Sequence, residues 1–131
     1  MIETNVFVSA IKTPGKSLQL LLRLLGKEFD LVANPYLVDE YTRYSREIPS
    51  DLARFLVAEL CSTFRVVEVA ERFLRICEPH LPSGEAVDVL LAATCVQEGA
   101  TLITNDKHFE RISEEGIIEV WSISDGIDRL L

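Results

Sequence analysis

Glu3, Glu40, Asp88 and Asp106 are the acids whose surroundings suggest chemistry. Asp88 is the most informative, because Ala86, Val87, Val89, Leu90, Leu91, Ala92 and Ala93 make its segment apolar nearly all round, as in a buried helix. A carboxylate there costs several kcal/mol unless it is paired or metal-bound. The competing reading is a salt bridge, but the nearest basic residues in sequence are Arg75 and Lys107. Glu3 follows Met1-Ile2, and Asp106 follows Thr101-Leu-Ile-Thr, which places each just beyond a strand. Glu40 stands in a helical stretch with Leu37 and Tyr44 at i−3 and i+4. Plainer readings stay open for Glu40, as a solvated helix acid, and for Asp106, as an Asx-turn residue. Carboxylates gathered in one pocket repel each other unless a divalent cation supplies the opposite charge. Hard oxygens without a histidine or cysteine ligand pattern favour Mg²⁺ or Mn²⁺ over zinc. Glu85, one helical turn before Asp88, reads equally as an auxiliary ligand or as a first-turn acid complementing the helix dipole. Thr4, Asn5, Thr104 and Asn105 suit support of the acids or phosphate contact, and ordinary turn chemistry explains them almost as well.

The elements that must position these residues alternate. Ser17 is expected to cap a helix through Leu18–Leu25 ended by Gly26, and Phe29-Asp-Leu-Val-Ala reads as a strand. Asn34-Pro35 gives an N-cap and an N1 proline for a helix to about Arg46, and Pro49-Ser50 opens another. Phe64–Val69 reads as a second buried strand, followed by a short helix near Glu71–Ile76. Ser83 is expected to cap the longest helix, Gly84 to about Glu98, closed by Gly99. Thr101–Thr104 is then a strand, Lys107 to about Ser113 a short helix, and Ile117–Trp121 the last strand. Strands alternating with helices predict a three-layer α/β/α sandwich around a central, mostly parallel sheet. Its ligands would collect at the carboxyl ends of the strands, where the four acids map.

Composition bounds the rest. The chain has 131 residues, 48% of them hydrophobic and 26% charged, so residues 1–131 are read as one folded domain. The net charge is −8, with 10 basic and 10 acidic residues before position 76 and 3 and 11 from there on. A basic nucleic-acid-binding face is therefore not the first thing this composition suggests. No apolar run is long enough for a membrane helix, and Met1–Asn5 has no secretion-signal pattern, so a cytoplasmic protein is expected. Cys61, Cys77 and Cys95 form no C-x-x-C pair and read as free buried thiols. Lys107 and His108 read as a solvated helix start, His80 as a loop residue, and Trp121 as core. Arg43 and Arg46 flank Glu40 as candidate phosphate contacts.

Glu3-Thr-Asn-Val-Phe-Val-Ser-Ala resembles the opening motif of PIN-domain nucleases, normally Asp-Thr-Asn-Val followed by apolar residues. The resemblance continues through Asn34-Pro-Tyr-Leu-Val-Asp-Glu-Tyr, Asp88-Val-Leu-Leu-Ala-Ala-Thr and Gly99-Ala-Thr-Leu-Ile-Thr-Asn-Asp-Lys-His-Phe. It implies a PIN-like fold and metal-dependent cleavage of RNA, with Glu3, Glu40, Asp88 and Asp106 as the acidic cluster. It also implies kinship with VapC-type toxins, hence an antitoxin partner carrying basic residues for the acidic pocket. With the surplus of leucine on Leu18–Leu25, where Leu18 and Leu22 are left for a second apolar surface, it further implies a homodimer. Glu3 departs from the family's aspartate by one methylene, a change that Mn²⁺ tolerates better than Mg²⁺. The departure keeps open an alternative: a catalytically degenerate PIN-like module that only binds protein or RNA.

Overall fold

The computed structural model describes residues 1–26 and 28–131. Its strands are short and parallel. Val32–Ala33 (β1) pairs with Arg65–Val66 (β2), Leu102–Ile103 (β3) pairs with Val120–Trp121 (β4), and Ile2 bridges Ile103. Eight helices surround them among the described residues: α1 (Thr4–Lys12), α2 (Lys16–Leu24), α3 (Pro35–Glu47), α4 (Asp51–Thr63), α5 (Glu71–Cys77), α6 (Ala86–Glu98), α7 (Glu110–Glu114) and α8 (Ile123–Leu130). Helix α1 packs on α2, α2 on α8, α3 on α4 and α5 on α6. The expected α/β/α sandwich is what the chain forms.

The helix starts explain how the strand ends become a site. Asn34 leaves β1 in extended geometry and its side chain accepts a hydrogen bond from Leu37 N at 2.8 Å, with Pro35 in the first turn. The same side chain donates to Thr94 Oγ1 at 2.9 Å, and Thr94 donates to Leu90 O at 2.7 Å, so the start of α3 is tied to buried α6. At the chain start, Met1 O accepts from Ile103 N (2.9 Å) and Ile103 O accepts from Glu3 N (3.0 Å). Helix α1 begins immediately after, with Glu3 at its N-cap.

Tyr41, fully buried on α3, donates to Ile2 O at 3.0 Å and packs edge-on against Phe7 at 5.5 Å. Removing that hydroxyl strands a buried carbonyl next to Glu3. Tyr41→Phe is therefore expected to cost about 1–3 kcal/mol, read as a lower midpoint in urea unfolding. An unchanged midpoint would show that the bond contributes nothing.

Several local expectations are corrected. Ser17 is not a cap: α2 starts at Lys16 behind Gly15, and Ser17 Oγ lies 3.2 Å from Ser9 Oγ on α1. Ser83 does not cap α6, whose N-cap is Glu85, because the Ser83 hydroxyl is directed at Asp88. At 13 residues α6 ties with α3 and α4 in length. Strand β2 is exposed rather than buried, whereas its partner β1 is buried. On α2, Leu18 packs against the core, which leaves Leu22 as its exposed leucine. Helices α1 and α8 are additional; α8 starts with a capping box between Ser122 and Asp125.

Candidate active site

The hydroxyl of Thr104, 2% exposed at the end of β3, organises one half of the acidic cluster. It donates to Glu3 Oε2 and accepts from Asn5 Nδ2 (3.1 Å) and from Asp106 N (2.9 Å), using its full donor and acceptor capacity. Asn5 Oδ1 is buried with no hydrogen-bond partner among the described residues. Asn105 turns away, accepting from Ile123 N at 2.9 Å, so it fastens the start of α8.

Glu40 is fixed on both oxygens. Thr4 Oγ1 donates to Oε1, joining α1 to α3, and Tyr36 OH, one turn earlier on α3, donates to Oε2 at 2.7 Å. That bond to the carboxylate pushes the Tyr36 hydroxyl up to about 12. The i,i+4 spacing of Tyr36 and Glu40 is a signal the sequence carries.

Asp88 is 4% exposed in the first turn of α6, as its apolar neighbours demand. Its partners are not the basic residues nearest in sequence. Ser83 Oγ donates to Oδ2 at 2.8 Å, and His108 Nδ1 lies 2.9 Å from the same oxygen. His108 is thus not a bare solvated helix start: the Asp88 bond, then the charge of Asp106, raise its pKa above the ordinary histidine value. Its backbone N donates to Asp106 Oδ1 at 2.9 Å. Among the described residues, one trio of potential ligand atoms lies within 4.8 Å of one another: Glu85, Asp88 and His108. A histidine nitrogen therefore stands beside the acids, which the expectation of oxygens alone did not include. Glu3, Glu40 and Asp106 lie outside that trio.

A common pattern runs through three of the acids. Among the described residues, Glu3, Asp88 and Asp106 each have one oxygen held by protein donors, while Glu3 Oε1, Asp88 Oδ1 and Asp106 Oδ2 receive none. Burial pushes Glu3 up to about 7, aided by the charges of Asp106, Asp88 and Glu40 and opposed by the Thr104 bond. Carboxylates in that state fit a divalent cation, whose charge removes the repulsion and whose preference is for hard oxygen.

The class is a parallel α/β domain with an acidic cluster at the carboxyl ends of its strands. A PIN domain profile matches residues 1–115, and the chain belongs to the PIN domain family, whose members are in general metal-dependent nucleases. Two solved structures share the fold. VapBC2 from Rickettsia felis, bound to a DNA fragment from their promoter, is 20% identical with a TM-score of 0.64, over 93% of this chain and 96% of that one. VapBC-1 from nontypeable Haemophilus influenzae is 15% identical with a TM-score of 0.66, over 95% of this chain and 97% of that one. A search of curated proteins found no match. Among the described residues no helix is long and apolar enough to cross a membrane.

Proposed function

We propose that residues 1–131 form one PIN-like domain acting as a divalent-metal-dependent endoribonuclease in the cytoplasm, as the toxin of a toxin-antitoxin pair. The observation that carries this is the set of three carboxylates, Glu3, Asp88 and Asp106, each oriented by protein donors through one oxygen with the other left for a ligand. Held there, Mg²⁺ or Mn²⁺ would supply positive charge against a phosphodiester and lower the pKa of bound water. Glu3, Asp88 and Asp106 would hold the ion, with Glu40 completing the negative field from a position fixed by Thr4 and Tyr36. Thr104 keeps Glu3 and Asp106 in register across β3. The longer reach of Glu3 favours Mn²⁺ over Mg²⁺.

At a net charge of −8 the chain attracts RNA weakly at long range, so substrate is held by local contacts. Arg43, which lines a small hollow with Tyr36, Asp39 and Glu40, is placed for a phosphate. Beside Asp106 a hollow of about 420 Å³ is lined by Glu110, Glu114 and Asp125 together with Lys107. That acidic surface suits a basic segment of an antitoxin partner. A homodimer through α2 would be built around Leu22, because Leu18 is used in the core.

The test is thermal unfolding during Mn²⁺ and Mg²⁺ titration. A ligand that binds only the folded state stabilises it by about 2.7 kcal/mol at a hundredfold excess over Kd, so the midpoint is expected to climb with Mn²⁺ and less with Mg²⁺. A midpoint indifferent to both ions rejects the metal site and leaves the reading of a PIN-like module that only binds protein or RNA.

A further inference from the structure

His108 touches both Asp88 and Asp106, the acids that arrive from α6 and from the end of β3. Its backbone N takes Oδ1 of Asp106 at 2.9 Å, in the 3₁₀ turn Lys107–Phe109 that Asp106 caps. Its ring Nδ1 takes Oδ2 of Asp88 at 2.9 Å and lies 3.5 Å from Asp106 Oδ1. Each carboxylate thereby has one oxygen turned toward His108, and the other, Asp88 Oδ1 or Asp106 Oδ2, receives no protein donor among the described residues. Ser83 donates to the same Asp88 oxygen at 2.8 Å, so the two donors together fix the rotation of a carboxylate that packing has already buried.

We propose that His108 is a positioning residue that sets the spacing and orientation of the Asp88 and Asp106 carboxylates for binding a divalent cation. The inference rests on the metal-site reading above. Ligand groups are held in a productive orientation by the hydrogen bonds they receive, and losing such a bond typically weakens metal binding about 10–100-fold. Without the Nδ1–H donor, Asp88 is held by Ser83 alone and can rotate, so the ion meets two carboxylates whose separation is no longer set. Ser83 does not fill the same role: among the described residues its hydroxyl bonds with Asp88 and Glu85 N, not with Asp106.

The experiment measures Mn²⁺ affinity of the full chain by isothermal titration calorimetry at neutral pH, for wild type, His108→Ala, His108→Asn, Ser83→Ala and Asp88→Asn. His108→Ala is expected to weaken binding about 10–100-fold. His108→Asn, whose amide N–H stands close to the place of Nδ1, is expected to recover most of the loss, and Asp88→Asn to abolish binding. Should circular dichroism show His108→Ala misfolded, His108→Leu, which keeps bulk without a donor, carries the same comparison. Unchanged affinity in the donorless variant overturns the proposal. Equal loss in the donorless and asparagine variants overturns it too, since the imidazole would then be a ligand itself. If wild type and Asp88→Asn alike bind no Mn²⁺, the metal-site reading fails, and this inference falls with it.

Discussion

Replacing Asp88 or Asp106 by asparagine is expected to lower Mn²⁺-supported cleavage of single-stranded RNA by about a hundredfold or more. The change is nearly isosteric, so the fold around Ser83 and His108 persists while one of the charges holding the ion is lost. Losing roughly 3 kcal/mol of transition-state stabilisation corresponds to that factor, and a divalent ion at a phosphoryl centre is worth several kcal/mol. Asp88 is the sharper of the two, because at 4% exposure no water takes over for the missing oxygen. Initial rates measured with unfolding midpoints separate lost chemistry from lost structure. Equal activity in wild type and both variants would discard these residues as the cleavage site.

A second large effect concerns Glu3 in metal-free protein. Its pKa moves from 4.5 to about 7, chiefly through burial, so the folded chain binds this proton more tightly than the unfolded chain does. Stability contributed by the protonated form is therefore present at low pH and falls as pH rises from about 4.5 to about 7, then levels off. After allowing for water that reaches a partly exposed carboxyl, the loss is about 2 kcal/mol. Glu3→Gln removes the ionisation, so this variant is expected to show little of that slope and to exceed wild type in stability above neutral pH. Saturating Mn²⁺ reverses the order, since only wild type offers the ion a charge at position 3. Urea unfolding across pH, with and without Mn²⁺, decides it. Parallel pH profiles for the two proteins would show that Glu3 does not carry the penalty. The same residue thus destabilises the empty fold and is expected to serve the loaded one, a conflict typical of binding sites.

Much of the fold was legible because its signals are local. Asn34-Pro35 and Ser50 mark helix starts by side chains that reach the backbone three residues on, and Gly99 ends α6 with φ of 63°, in the left-handed region glycine favours. The apolar wrap around Asp88 predicted its burial, because a residue in a helix covered on all sides has no route to water. A serine near a helix start has the capping chemistry, yet packing can direct its hydroxyl elsewhere: Ser17 meets Ser9 on α1, and Ser83 donates to the Asp88 carboxylate in a stronger charge-assisted bond. Helix α8 carries its capping signal in Ser122 and Asp125, three residues apart.

The sequence by itself determined the alternation of helices and parallel strands, the family, and which acids lie at strand ends, since each depends on spacings within a few residues or on order along the chain. Only the tertiary structure decided how those acids are held. Thr4 meets Glu40 across 36 positions, Thr104 meets Glu3 across 101, and His108 meets Asp88 across 20. No local propensity encodes such pairs, because they form where helices and strand ends converge, and the packing of α1, α3 and α6 around the parallel strands sets that convergence to within a hydrogen bond's length.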